Sequence, residues 1–153
     1  MFNNDQDLME LYQQVILDHS RHPRNFRVIE DANRDAEGFN PLCGDQIHVF
    51  LKVGNNNQIE DVAFQGSGCA ICTASASIMT QNLKGQSVES ANAVFSAFHD
   101  LLTKDDPQDA DTLGKLSVFA GVRKFPIRVK CATLPWHTLV AGIKGQNDPV
   151  TTE

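Results

Sequence analysis

Hydrophobic residues near the start of the chain recur every three or four positions, a spacing that is typical of one face of an α-helix. These residues are Leu8, Leu11, Tyr12, Val15 and Ile16. Asp5 or Asp7 can cap the start of this predicted helix. The helix is expected to end before Pro23, because proline disfavours helical backbone at the residue that precedes it. Residues 21–38 show little periodicity, apart from a candidate short strand at 27–29.

A β-hairpin is predicted next along the chain. Hydrophobic and polar residues alternate from residue 45 to residue 53, which indicates a strand with one buried face. The glycine and asparagines of 54–57 tolerate the positive backbone angles of a turn. Residues 59–65 then return as an antiparallel strand, and the Gly-Ser-Gly sequence at 66–68 is expected to end it.

The rest of the chain favours helices. The predicted helices span residues 69–83, 87–102, 112–120 and 133–143. The first of these is rich in small residues, which suits a helix packed closely against a neighbour. Ser87 can cap the second helix, and Pro126 is expected to break the chain before the last one. Residues after Gly145 are expected to form a loose tail.

This order of elements indicates an α+β fold, in which a small antiparallel β-sheet packs against helices. The 153 residues suit a single domain, which we expect to span residues 1–153. The net charge of −6 argues against a general nucleic-acid binder and against a basic membrane-surface protein. No apolar run is long enough for a membrane span, and the first residues are too acidic for a signal peptide, so we expect a cytoplasmic protein.

Four cysteines carry the candidate chemistry, because in a reducing compartment metal binding or thiol reactions are better explanations than structural disulfides. Cys43 and Asp45 lie two positions apart at the mouth of a strand, where extended backbone points both side chains the same way. Cys69 and Cys131 each lie at or just before the predicted start of a helix, which stabilises a thiolate. Such junctions allow ligands from distant parts of the chain to converge.

Zinc fits a set of three sulfurs and one carboxylate in tetrahedral geometry. Three thiolates and one carboxylate carry four negative charges, of which Zn²⁺ neutralises two, and Lys130 and Arg128 could offset the remainder. The spacings of these residues are not those of a zinc finger. The alternative that one or two of the cysteines are small buried apolar residues therefore stays open at this point.

Several motifs, taken together, resemble those of a known family. They are residues 11–19 (LYQQVILDH), 22–25 (HPRN), 40–45 (NPLCGD), 66–71 (GSGCAI), 74–77 (ASAS) and 128–136 (RVKCATLPW). On these motifs the chain resembles the IscU/NifU N-terminal superfamily of iron–sulfur cluster assembly proteins, over almost its whole length. Lys130, where IscU-type scaffolds have histidine, and the long segment between Cys69 and Cys131 resemble the SufU branch of that superfamily.

The resemblance implies a zinc ion held by Cys43, Asp45, Cys69 and Cys131. It implies that a cysteine desulfurase of the SufS type transfers persulfide sulfur to Cys43, which leaves zinc by a ligand exchange with the desulfurase. The sulfur then passes to downstream iron–sulfur assembly proteins, so the chain would be a sulfurtransferase-type acceptor rather than an enzyme for small molecules. Gly44 supports this assignment, because glycine lets the neighbouring Cys43 move at low backbone cost.

Two other functions remain as alternatives. IscU relatives build a [2Fe–2S] cluster on the same ligands, so the chain could be a scaffold for that cluster. A third function is that of a non-catalytic, zinc-stabilised adaptor. Lys130 is assigned to charge support for the thiols in preference to a solvated surface position. Neither a nucleic acid nor a membrane is an expected partner.

Cys72 departs from the pattern of the family, where serine is expected, and forms a Cys-x-x-Cys pair with Cys69. A buried replacement for serine is the favoured interpretation, and a redox disulfide with Cys69 that expels zinc is the alternative. His48 points away from the side of the strand that carries Cys43, which indicates a surface or partly buried residue. Trp136 and Phe125 are expected to be packing residues.

Overall fold

The computed structural model describes residues 5–104, 110–146 and 148–152. Its elements follow the order predicted for an α+β fold, with one additional strand before the predicted hairpin and a second after the last helix. They are helix α1 (Asp5–Arg21), strands β1 (Arg34–Asn40), β2 (Asp45–Val53) and β3 (Ile59–Ser67), helices α2 (Ala70–Leu83) and α3 (Val88–Thr103), a 3₁₀-helical segment (Ala110–Lys124), helix α4 (Pro126–Lys144) and strand β4 (Val150–Thr151). None of the helices within the described ranges is long and apolar enough to cross a membrane.

The four strands form one sheet in the order β3-β2-β1-β4. The predicted hairpin is confirmed, because β2 pairs antiparallel with β3. Strand β3 continues to Ser67, so the break expected at 66–68 comes later than predicted. Gly66 allows this continuation: a Cβ atom there would collide with the backbone carbonyl of Gln46 on the neighbouring strand.

Strand β1 lies in the stretch for which the sequence predicts no long strand. Its inward positions are Ala36, Gly38 and Asn40, which are buried but are too small or too polar to give a hydrophobic alternation. Gly38 faces Thr138 of α4 so closely that a Cβ atom would collide with the threonine hydroxyl. The candidate strand at 27–29 is wrong, since the chain there makes only an isolated bridge at the preceding residue, Phe26.

Helix α2 lies at the centre of the fold and contacts α1, α4 and β3. The prediction of a closely packed helix is confirmed, because its small residues are fully buried; these are Ala74, Ser75, Ala76 and Ser77. Trp136 of α4 is buried too, and its indole N–H donates to the Ser75 hydroxyl at 3.1 Å. The prediction for Phe125 is wrong, since this side chain is 60% exposed.

Helix α4 begins at Pro126 and not near residue 133 as predicted. Proline is accommodated at the first helical position because its missing N–H would have no partner there in any case. Cys131 therefore lies inside the helix, where it is fully buried, and not at a helix start. The prediction of a loose tail after Gly145 is wrong. Strand β4 pairs parallel with β1, and the Thr152 hydroxyl donates to the backbone carbonyl of Lys130 at 3.3 Å.

His19 is a buried polar residue between α1 and α2. Its Nδ1 lies 2.7 Å from the Ser77 hydroxyl, and its Nε2 has no hydrogen-bond partner among the described residues. Burial, aided by the positive charges of Lys115 and Arg24, lowers the pKa of His19 to about 4. The folded protein therefore holds this imidazole neutral, whereas the unfolded chain protonates it near pH 6.5.

We predict that His19 makes the protein lose stability in acid. Because the unfolded state binds the proton first, its contribution is intact above about pH 6.5 and is lost as the pH falls toward 4, by about 3 kcal/mol in total. Urea unfolding followed by Trp136 fluorescence at several pH values measures this slope. His19→Gln is expected to be less stable near neutral pH and to show a flatter pH dependence.

The exposed His22→Gln serves as the matched control, since its imidazole is solvated and lies on the same segment. It is expected to keep the slope of the wild-type protein. An unchanged slope in His19→Gln would contradict the assignment.

Candidate metal centre

Cys43 lies on the short turn between β1 and β2. Its backbone N–H donates to the carbonyl of Asn40 at 3.2 Å, and Gly44 follows with φ of +70°, in the left-handed region that favours glycine. The Cys43 side chain is half-buried, while the neighbouring Leu42 is 65% exposed. The turn thus presents one thiol at the border between interior and solvent.

Asp45 begins β2 and is almost fully buried. Its Oδ1 accepts the backbone N–H of Cys69 at 2.8 Å, which fixes the carboxylate toward the start of α2. Gly68 makes this approach possible, because a Cβ atom at that position would collide with Oδ1. The glycine before Cys69 is therefore a packing requirement of the site.

Cys69 caps helix α2. Its Sγ accepts the backbone N–H of Cys72 at 3.4 Å and lies 3.8 Å from Oδ2 of Asp45. A hydrogen bond from the Cys131 thiol, supported by the N–H of Cys72, outweighs burial and lowers the pKa of Cys69 to about 7. The prediction that Cys69 lies at a helix start is confirmed, and there the N-terminal N–H groups favour a thiolate.

Cys131 projects from α4 into the space between Cys43 and Cys69. Its Sγ lies 3.0 Å from Sγ of Cys43 and 3.6 Å from both Nδ2 of Asn40 and the carbonyl of Ile127. Its pKa is raised, first because the thiol donates to Cys69 and then because it is buried.

The structure brings three of the four predicted residues within ligand distance of one another. Ligand atoms of Cys43, Asp45 and Cys131 all lie within 4.8 Å of one another. Cys69 borders this group, with its Sγ 3.8 Å from Oδ2 of Asp45 and hydrogen-bonded to the Cys131 thiol. Three sulfurs and one carboxylate oxygen are a donor set that suits tetrahedral Zn²⁺, and soft thiolates also suit iron–sulfur clusters. The residues present therefore fit either group.

Arg128 is the cation that faces the thiols. The negative charge of Cys69 and a hydrogen bond to Cys131 raise the pKa of its guanidinium. Lys130, which the sequence favoured for charge support, is half-buried, and its side chain makes no hydrogen bond or ion pair with the part of the chain that the structure describes. Its role stays a prediction.

Sequence reasoning missed Asn40. This residue is fully buried, its amide N–H₂ points at the Cys131 sulfur, and its Oδ1 has no partner within the described ranges. The only available signal was its position three residues before Cys43, where it also provides the carbonyl that holds the turn.

Two further predictions concern residues near the site. Cys72 is 3% exposed and belongs to the hydrophobic core, which supports its interpretation as a small buried residue, and burial raises the pKa of its thiol. His48 is partly exposed, and its Nε2 lies 2.7 Å from the Asp35 carboxylate. The prediction that His48 is a surface or partly buried residue is confirmed.

Comparison with known proteins places the chain in a family. The family described as the NifU-like N terminal domain matches residues 11–132. The zinc-dependent sulfurtransferase SufU of Bacillus subtilis (strain 168) is 42% identical over 137 residues, which cover 90% of this chain and 92% of that protein. The iron–sulfur cluster assembly scaffold protein IscU of Streptococcus pyogenes serotype M1 is 39% identical over 137 residues, with 90% and 85% coverage.

A solved structure has the same fold. It is described as an iron–sulfur cluster assembly scaffold for the SUF system of Fervidobacterium islandicum AW-1, and it superposes with a TM-score of 0.81 at 30% identity, covering 88% of this chain and 97% of that one. The motifs, the α+β architecture and these relatives agree. The chain belongs to the NifU-like N-terminal domain family of iron–sulfur cluster assembly proteins.

Proposed function

We propose that this protein accepts persulfide sulfur on Cys43 from a cysteine desulfurase and passes it toward iron–sulfur cluster assembly. In this proposal the whole chain, residues 1–153, acts as one domain, and Cys43, Asp45, Cys69 and Cys131 hold a zinc ion. The observation that carries the proposal is the position of Cys43. Its thiol lies within ligand distance of Asp45 and Cys131, and it is also part of an exposed turn.

Zinc is the favoured metal because three sulfurs and a carboxylate form its ordinary structural coordination set. The name of the B. subtilis relative, a zinc-dependent sulfurtransferase, supports this choice. When bound, zinc keeps its thiolate ligands deprotonated and in place until one of them is released. Arg128 then offsets part of the negative charge that the thiolates leave, and the structure favours it over Lys130 for this role.

Cys43 is favoured as the sulfur acceptor on grounds of mobility and access. It lines an open cleft of about 560 Å³ together with Leu42, Phe125 and Ile127. By contrast, Cys69 caps α2 and accepts the backbone N–H of Cys72, and Cys131 is fully buried within α4. A turn next to Gly44 can shift without breaking helical hydrogen bonds.

The rim of this cleft suits contact with another protein. Three large apolar residues on this rim are about 60% exposed: Leu42, Phe125 and Ile127. Large apolar residues that cluster at a surface often mark interaction sites. We propose that a desulfurase of the SufS type covers this rim when it delivers sulfur, and that downstream assembly proteins take the sulfur in a later step. The cytoplasm is the proposed compartment.

A second candidate function is that of a scaffold for a [2Fe–2S] cluster. The same four residues could hold it, and relatives named as IscU scaffolds support this alternative. Iron and sulfide in anaerobically purified protein, with charge-transfer absorption, would favour the scaffold over the sulfur acceptor.

We predict that the four proposed ligands, and not Cys72, determine metal retention. Cys69→Ser is expected to lower zinc affinity at least about tenfold, because a hydroxyl is a much poorer zinc ligand than a thiolate. Cys72→Ser is the matched control on the same helix and is expected to retain zinc. Elemental analysis after dialysis against a competing chelator measures the difference, and equal zinc loss in both variants would contradict the ligand assignment.

We predict that the wild-type protein stimulates turnover of a cysteine desulfurase and that Cys43→Ala does not. Removal of the acceptor thiol should lower the stimulation at least about tenfold, since covalent transfer requires that nucleophile. Alanine release is measured with substrate cysteine and a fixed amount of desulfurase. Cys72→Ser is expected to stimulate like the wild-type protein.

A lack of stimulation by the wild-type protein would refute the proposed function. Equal stimulation by wild type and Cys43→Ala would refute the choice of acceptor and would favour an adaptor that acts through the fold alone.

A further inference from the structure

We propose that Cys131 is a resolving thiol for sulfur carried on Cys43. Whenever metal does not engage Cys131, this thiol expels the outer sulfur of a Cys43 persulfide as sulfide and forms a Cys43–Cys131 disulfide. The inference rests on the proposed function in one respect only, namely that Cys43 carries the sulfur. It gives the metal a second role, because metal occupancy then decides whether the sulfur is kept or released.

The contact between the two sulfurs is the basis of this inference. Sγ of Cys131 lies 3.0 Å from Sγ of Cys43, about 1 Å more than a disulfide bond, although the residues are 88 positions apart in the chain. Cys131 is fully buried, so thiols from solution cannot compete with it from the interior side. A nucleophile already in contact reacts with a large advantage over one that must arrive by diffusion.

The surroundings of Cys131 hold its sulfur on the Cys43 side. The Asn40 amide lies 3.6 Å from Sγ, and the carbonyl of Ile127 lies 3.6 Å away within the same helix. Asn40 also accepts the backbone N–H of Cys43, so one residue contacts both cysteines. Asn40 is therefore a positioning residue for the pair.

The cleft on the other side of Cys43 gives room for the outer sulfur of a persulfide. Leu42, Phe125 and Ile127 line this open space, whereas Cys131 faces Cys43 from the interior. The inner sulfur is thus accessible from the protein side and the outer sulfur can point to solvent. This arrangement suits displacement at the inner sulfur, with the leaving group departing through the cleft.

The proposed step is balanced without an external oxidant. The Cys131 sulfur bonds to the inner sulfur of the Cys43 persulfide, and the bond between inner and outer sulfur breaks. The outer sulfur takes the electron pair of that bond and the Cys131 proton, and it leaves as hydrogen sulfide. The two cysteines are oxidised to a disulfide while the transferred sulfur is reduced; a thiol reductant of the cell would restore the pair.

Sulfur transfer to metal-stripped and zinc-loaded protein tests this inference. The full-length chain is stripped anaerobically with a chelator, and circular dichroism verifies that its helices persist. Both samples receive inorganic tetrasulfide as the sulfur donor, and unreduced peptides are mapped by mass spectrometry. We expect at least about tenfold more Cys43–Cys131 crosslink in the stripped sample than in the loaded one, where zinc engages both thiols.

Two variants complete the test. In stripped Cys131→Ser the Cys43 persulfide should survive, whereas stripped Cys72→Ser should form the crosslink as the wild-type protein does. The inference is overturned by a persulfide that is as long-lived in stripped wild type as in Cys131→Ser. It is equally overturned by scrambled crosslinks among the cysteines, or by a stripped protein that gains neither sulfur nor crosslink.

The result is separable from the proposed function, because tetrasulfide replaces the desulfurase. A specific Cys43–Cys131 crosslink without any stimulation of a desulfurase would refute the proposed function and leave this inference standing. Stimulation of a desulfurase together with a stable persulfide in the stripped protein would support the proposed function and refute this inference.

Discussion

The hydrogen bond from the Cys69 backbone N–H to the Asp45 carboxylate, 2.8 Å long, ties the sheet to helix α2 at the candidate site. It connects the first residue of β2 with the cap of α2, and the remaining ligands lie around it. Asp45 is almost fully buried and forms no ion pair in the ranges that the structure describes, so this N–H compensates part of the cost of burying the carboxylate. The close approach requires Gly68, so a backbone constraint determines the geometry of the site.

This arrangement is costly for the fold on its own. A carboxylate, an amide with an unpaired oxygen and several thiols are buried together, and the burial of unpaired polar groups is unfavourable. A divalent cation bound among these groups would be attracted to the carboxylate and the sulfurs and would offset this cost. The burial of Asn40 and Asp45 therefore lowers the stability of the fold. A binding function explains this cost, and packing alone does not.

Much of this organisation was predictable because it follows from local pattern. The β2–β3 hairpin alternates, Ser87 caps α3 as predicted, and three of the four candidate ligands, Cys43, Asp45 and Cys131, lie within 4.8 Å of one another. Strand β1 was missed because its inward residues are alanine, glycine and asparagine, which carry no hydrophobic signal. The start of α4 was missed because proline is favoured in the first turn of a helix but breaks a helix at interior positions, and Pro126 occupies the first turn. The contact of Asn40 with Cys131 depends on tertiary structure, and no spacing rule reveals it.

We propose that Cys43, Asp45, Cys69 and Cys131 form one coordination sphere, with the turn cysteine as its movable member. X-ray absorption spectroscopy of the zinc-loaded protein in solution measures this coordination. We expect three sulfur atoms at about 2.3 Å from the metal and one oxygen at about 2.0 Å. A coordination shell dominated by nitrogen, or one that keeps three sulfurs after Cys43 is replaced by serine, would contradict it.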